Sequence, residues 1–188
     1  GGKGCNIPGI YFENKELTKK DKKSLKWAIE NNIKIISQSF VENKRDIDHI
    51  RKYICEINGD LKSIKLLSKI ETNLGVDNFK EIIRYSDGII IARGDLIPEC
   101  GLINSVDKEF DLLLKVKKYE KEKEVIIATH ILDNMRKGII PNINELESIY
   151  TFVNLGVTGF LLASETSIGN YPVKSVEMLK MLINLYKK

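Results

Sequence analysis

Lys69 and Glu71 lie two residues apart, and in an extended strand that spacing puts both side chains on one face. Such a pair is either a plain ion pair or a cation that handles a phosphoryl group beside a metal ligand, and the spacing alone leaves both open. Asp95 closes a second polar cluster, Ala92-Arg93-Gly94-Asp95. Glu71 and Asp95, on neighbouring strand ends, suit one hard divalent ion, because Mg2+ takes one or two protein carboxylates and fills its shell with water and substrate. The turn at residues 92–95 contains a glycine and follows an apolar run. Its backbone N–H groups suit an anion, especially where a short helix begins. Arg93, one of five arginines with Arg45, Arg51, Arg84 and Arg136, either binds that anion directly or pairs with a carboxylate and holds the turn. Thr129 ends another apolar run, where a threonine is structural or catalytic. Glu165 ends the last one and could orient Lys69 or a water. His130 would point away from Thr129 if the strand continues. His49 sits in a charged helix, and Cys100 reads as a bystander.

Five apolar runs must position these groups: residues 33–36, 65–70, 88–92, 125–128 and 159–163. Each is continuous rather than alternating, as in strands of a parallel sheet buried on both faces. Between them, apolar residues fall on single helical faces: Ile47, Ile50, Ile54 and Ile57; Val76, Phe79, Ile82 and Ile83; Leu146, Ile149 and Val153; Val176, Leu179, Leu182 and Ile183. Thr18 with Asp21 resembles a capping box, Gly156 a C-terminal cap, and Pro172 a first-turn proline. Strand–helix alternation predicts an α/β fold with right-handed crossovers, whose ligands gather at the C-terminal strand ends. Five consecutive strand ends here supply a Lys, three carboxylates, an Arg, a Thr and a His.

The 188 residues are enough for one domain, at roughly 150 residues per domain. A net charge of +4, spread along the chain, gives no case for nucleic acid or membrane binding. Cys5, Cys55 and Cys100 are too few and too widely spaced for a disulfide framework or a thiolate metal site, so a reducing compartment is the expectation. No apolar run approaches the roughly 18 residues of a membrane span.

The motifs together resemble those of the pyruvate kinase family. Ser68-Lys69-Ile70-Glu71 and the segment from Ser86 through Gly88 and Ala92-Arg93-Gly94-Asp95 to Leu96 are similar to its paired core motifs. Lys3-Gly4-Cys5-Asn6-Ile7-Pro8-Gly9 resembles the segment where the family's lid domain returns to its barrel. Ser39-Phe40, the stretch from Ala128-Thr129-His130 to Met135, and Ala163-Ser164-Glu165-Thr166 with Gly169-Asn170-Tyr171-Pro172 follow in the family's order.

The resemblance implies a parallel (β/α) TIM-type barrel, partial here: about five of eight βα units, strands four to eight. Residues 1–188 would be one partial barrel domain, with 1–10 as the return segment. It implies phosphoryl transfer from phosphoenolpyruvate to ADP, giving pyruvate and ATP in glycolysis, by a cytoplasmic or organellar homo-oligomer, a tetramer in the complete protein. Carried over, Glu71 and Asp95 hold Mg2+ or Mn2+, and Lys69 stabilises the moving charge. The backbone of Ala92, Arg93 and Gly94 holds the substrate carboxylate. Thr129 lies on the proton-delivery side, Glu165 joins the catalytic set, and Phe40 walls the pocket. The K+ site and most of the nucleotide site fall outside this chain, so the isolated stretch is expected to be inactive and, with two open sheet edges, poorly stable or self-pairing.

Some positions depart from the family pattern. His130 stands where the family has Gln, and Ala163-Ser164 replace Ser-Gly. Pro141-Asn142-Ile143-Asn144-Glu145 lacks an Arg that serves a subunit contact, and the stretch from Ile97 to Gly101 changes the loop beyond Asp95. These changes sustain an alternative: a catalytically inactive relative that acts as a binding module.

Overall fold

A computed structural model describes Gly9 and residues 16–187; the proposed return segment at 1–10 therefore lies almost wholly outside the described residues. Five strands, β1 (Ile35–Gln38), β2 (Lys65–Ile70), β3 (Gly88–Ala92), β4 (Glu124–Ala128) and β5 (Gly159–Leu161), form one sheet in the order β1-β2-β3-β4-β5. All four pairings are parallel, with Ile35 opposite Lys65, Ile90 opposite Ile126 and Ala128 opposite Leu161. The sheet curls into part of an α/β barrel, as expected.

Helices cross between the strands. They are α1 (Lys19–Glu30), α2 (Lys44–Glu56), α3 (Asn73–Asp77), α4 (Phe79–Tyr85), α5 (Arg93–Cys100), α6 (Leu102–Tyr119), α7 (Ile143–Asn154), α8 (Ser164–Ser167) and α9 (Pro172–Tyr186). Their starts follow from local chemistry. Thr18 and Asp21 exchange side chain-to-backbone hydrogen bonds at the head of α1, and Asn142 with Glu145 does the same for α7. Gly156, at φ 81°, follows α7 as its terminating glycine.

The sheet has two unequal faces. Outward residues Leu66, Ile70, Ile89, Ile91, Val125 and Ile127 pack under the helices in the main core. Inward residues Leu67, Ile90, Ala92 and Ala128 form a small separate cluster. Burial on both faces holds for β3, where all five residues are buried. It fails at the edges: inward-facing Ile35 is 54% exposed and Leu161 41%, because neither edge strand has a second neighbour among the described residues.

Several expectations shift. The first strand begins at Ile35 rather than 33, since Asn32 is left-handed and the Ile33 N–H bonds back to the Ala28 carbonyl, which closes α1. The last strand stops at Leu161, because the Glu165 carboxylate takes the Ala163 N–H. The face from Val76 to Ile83 is split between α3 and α4 at Asn78. The stretch between the third and fourth strands, for which no apolar set is named above, contains α6, which buries Glu109, Leu112, Leu113 and Val116. Val176 lies on the solvent side of α9, 51% exposed.

Candidate active site

The predicted polar groups gather at the C-terminal ends of the strands. Lys69, on the inner face of β2, places Nζ 2.5 Å from Oε1 of Glu71 and donates to Ser39 Oγ at 3.2 Å. Glu71 follows β2 and is wholly buried. Its Oε2 accepts the Phe40 N–H at 2.6 Å. Phe40 adopts φ 55°, a left-handed conformation that costs about 1–3 kcal/mol, and this turns its N–H onto the carboxylate. The Val41 N–H then bonds the Lys69 carbonyl. The segment after β1 is thus folded over the end of β2 by the same two residues that carry the charge.

The two oxygens of Glu71 differ in use. Oε2 is satisfied by the backbone, whereas Oε1 faces Lys69 as an ion pair without accepting a well-directed hydrogen bond. Burial pushes the Glu71 carboxyl above its ordinary range. Lys69 and the Phe40 N–H oppose that, and the negative charge of Asp95 adds to it. Asp95 therefore lies near enough for the two carboxylates to repel. A buried carboxylate whose Oε1 meets only the Lys69 ammonium, within electrostatic reach of a second carboxylate, is of the type that suits a hard cation. Among the described residues no group of three His, Cys, Asp or Glu side chains could hold a metal, so water and substrate would supply most of the shell, as Mg2+ prefers.

Asp95 stands in the first turn of α5, which starts directly after β3. The first N–H groups of a helix have no intrahelical acceptor. Here the Gly94 N–H is taken by Thr129 Oγ1 at 2.8 Å, while the Thr129 hydroxyl donates to the Ala128 carbonyl at 2.6 Å. The Arg93 guanidinium turns away from this cradle: Nε and Nη2 donate to the Thr129 carbonyl, and Nη2 also to that of His130.

Glu165, also wholly buried, accepts the Leu132 N–H at 3.0 Å and the Ala163 N–H at 2.9 Å. Both its oxygens are thus bonded to backbone, while Lys69 takes Glu71 and Ser39. His130, left-handed at φ 52°, pairs through Nδ1 with Asp133 at 2.6 Å. Cys100 donates to Asn73 Oδ1, and burial pushes its thiol up. A cavity of about 730 Å3 runs along β1 and α1 and meets this site through Ser39 and Phe40.

The sequence reading missed two residues: Glu109 on α6 and Phe152 on α7, both against the Arg93 guanidinium. Glu109 sits in a helix rich in charges, where nothing in the spacing marks one as buried. Phe152 reads as ordinary core.

Comparison with known proteins agrees with these motifs. A family model described as the pyruvate kinase barrel domain matches residues 1–176. The chain is 35% identical over 178 residues to a pyruvate kinase of Methanocaldococcus jannaschii, covering 95% of this chain and 39% of that protein. It is 32% identical to one of Encephalitozoon cuniculi (96% and 40%) and 34% to one of Candida albicans (94% and 34%). The chain spans about two fifths or less of the length of these relatives.

Proposed function

The chain belongs to the pyruvate kinase family, and from that premise we propose that it carries the metal and phosphoenolpyruvate half of a site that transfers a phosphoryl group to ADP. Residues 1–188 act as one partial barrel domain, with its open edges completed by further barrel units and the complete protein a homo-oligomer. The observation that carries the reading is the β2 end: Lys69 against a buried Glu71 whose Oε1 accepts no directed hydrogen bond, with Asp95 alongside.

In this reading Glu71 and Asp95 hold Mg2+ or Mn2+. Bound there, the ion would supply charge neutralisation for the phosphoryl transfer. Phosphoryl transfer asks little covalent chemistry of the protein and much positioning. Lys69 Nζ, kept near the cleft by Glu71 and Ser39, neutralises charge on the transferring group. The backbone at residues 92–94 receives the substrate carboxylate at the head of α5 once the Gly94 N–H is released from Thr129 Oγ1, and Phe40 walls the pocket. The Thr129 hydroxyl must leave the Ala128 carbonyl to pass a proton toward the enolate carbon through water. Glu165 supports this side of the cleft by tying residues 132 and 163 together.

Titrating Mn2+ into the full-length protein and into Asp95→Asn tests the metal site. The expected result is a loss of affinity of about tenfold or more, on the scale of altered metal-site residues; equal binding would remove the shared site. One observation favours an inactive relative: Ala163 and Ser164 replace the family's Ser-Gly, and Ser164 lies toward Asp133, 3.5 Å from Oδ1. Turnover of phosphoenolpyruvate and ADP with Mg2+ and K+ separates the two readings, since a binding module gives none.

A further inference from the structure

Thr129 and His130 are consecutive left-handed residues, at φ 66° and 52°, and the first is β-branched. Such backbone persists only where its surroundings over-determine it. The Thr129 N–H bonds the Leu161 carbonyl and His130 pairs with Asp133, but both carbonyls of the turn are taken by one side chain. Arg93 donates from Nε and Nη2 to the Thr129 carbonyl, at 3.1 and 2.5 Å, and from Nη2 to the His130 carbonyl at 2.7 Å. Both carbonyls point the same way because both residues are left-handed, and the fork of the guanidinium spans them.

Arg93 is itself braced. Its Nε lies 3.8 Å from Glu109 Oε1, with the two side chains only 15% and 5% exposed. Its guanidinium carbon lies 5.4 Å from the centre of the Phe152 ring. Glu109 Oε1 accepts no hydrogen bond from any described residue, so the charge of this buried carboxylate serves Arg93. On the far side of the turn, Glu165 fixes the Leu132 N–H. The hydroxyl of Thr129 is thereby presented to the first turn of α5, where the Gly94 N–H meets it.

We infer that Arg93 is a positioning residue: its side chain, backed by Glu109 and Phe152, holds the turn at residues 129–130 so that Thr129 faces the head of α5, and it does not bind the substrate anion. The turnover part of this inference rests on the function proposed above; the geometric part does not. A lysine cannot substitute, because a single ammonium lacks the fork that joins two carbonyls while facing Glu109.

The test uses the full-length protein with 13C-labelled threonine methyl groups, as wild type, Arg93→Lys and Glu109→Gln. Arg93→Lys is expected to shift or broaden the Thr129 methyl signal and to leave Mn2+ affinity within about twofold. It should lower kcat about 10–100-fold, the scale of a small misplacement, with KM for phosphoenolpyruvate nearly unchanged. Glu109→Gln should move the same signal in the same direction, by less. An unmoved Thr129 methyl overturns the inference, as does a raised KM at unchanged kcat, which direct anion binding would give. Should Arg93→Lys fail to fold, Glu109→Gln decides alone through the same signal. If the wild type turns over no substrate, the proposed function fails and the methyl signal still decides the positioning role.

Discussion

Glu71 and Glu165 are alike in most respects. Each lies beyond the C-terminal end of a strand, Glu71 directly after β2 and Glu165 in α8 after β5; each is wholly buried, and each accepts at least one backbone N–H. They differ in what is left over. Each oxygen of Glu165 accepts one backbone N–H, and together they hold residues 132 and 163 in place. Glu71 gives one oxygen to Phe40 and keeps the other turned to Lys69, near Asp95. A buried carboxylate is available to chemistry to the extent that its surroundings leave it other partners, and by that measure the proposed metal site draws on Glu71 at the β2 end, while Glu165 ties the β5 end together.

The strongest way to break this contrast is to remove both carboxylates in turn. Glu165→Ala leaves the buried Leu132 N–H and the half-buried Ala163 N–H without acceptors, the first at about 1–3 kcal/mol and the second at less, so a loss of about 2–5 kcal/mol is expected in urea unfolding of the full-length protein. Glu71→Ala strands one N–H, and its loss should be about 1–3 kcal/mol. Losses of equal size would mean that Glu71 is as structural as Glu165.

Gly75 sharpens the same contrast from behind. A Cβ at this buried α3 position would lie 2.7 Å from the Val41 carbonyl oxygen, a backbone atom that cannot swing aside. Gly75→Ala must push the segment that carries Phe40, and overpacking of this kind costs about 1–3 kcal/mol. The expected signature is weaker Mn2+ binding together with the lost stability, since the Phe40 N–H would leave Glu71. Stability loss with unchanged Mn2+ binding would separate Phe40 from the site.

Acidity offers a gentler probe. Burial raises the folded-state pKa of Glu71 above its unfolded value, so the folded protein holds this proton more tightly than the unfolded chain. Its contribution to stability is complete below the ordinary carboxylate range and is lost as pH rises through the folded pKa. Glu71→Gln removes that loss. The stability of the variant relative to wild type should therefore improve from pH 4 to pH 7, measured by urea unfolding at each pH. In the wild type, Mn2+ binding should weaken on acidification sooner than for an exposed carboxylate. A flat difference between variant and wild type would mean that Lys69 fully offsets the burial.

These contrasts divide what the sequence could show from what it could not. The five runs and their order were legible because buried parallel strands are continuous apolar stretches, and β3 obeys this in full. Lys69, Glu71, Asp95 and Thr129 were legible as strand-end polar residues in a recognisable order. The different fates of Glu71 and Glu165 were not, since both are a Glu after an apolar run, and only the partners of their oxygens distinguish them. The Arg93 alternatives were open for the same reason. Its choice of the turn depends on the left-handed carbonyls of residues 129 and 130 and on Glu109, sixteen residues away on another helix. The bounds of the two edge strands were not legible, because the hydrogen bonds of the Ile33 and Ala163 N–H groups that limit them leave no mark on an apolar run.

The smallest effect is expected at Gly94, which tests how closely Thr129 must approach the head of α5. Gly94 lies in the first turn of that helix and is absent from the positive-φ residues, so alanine meets no backbone strain. An added Cβ would sit 3.4 Å from Thr129 Oγ1 and 3.5 Å from its Cγ2. Thr129 would have to yield by a few tenths of an ångström at most. Alanine in a helix interior is favoured over glycine by about 0.8–1.0 kcal/mol, and a terminal turn realises only part of that. The gain and the crowding should nearly cancel, leaving stability within about 0.5 kcal/mol of wild type. The Thr129 methyl signal should still move, because the three nearest atoms to that Cβ all belong to this side chain. Turnover should fall by a few-fold at most, far less than with Arg93→Lys. If Gly94→Ala instead abolished turnover with stability intact, the backbone at residue 94 would be touching substrate at van der Waals distance, and the anion cradle rather than the Thr129 turn would be the tighter constraint on the site.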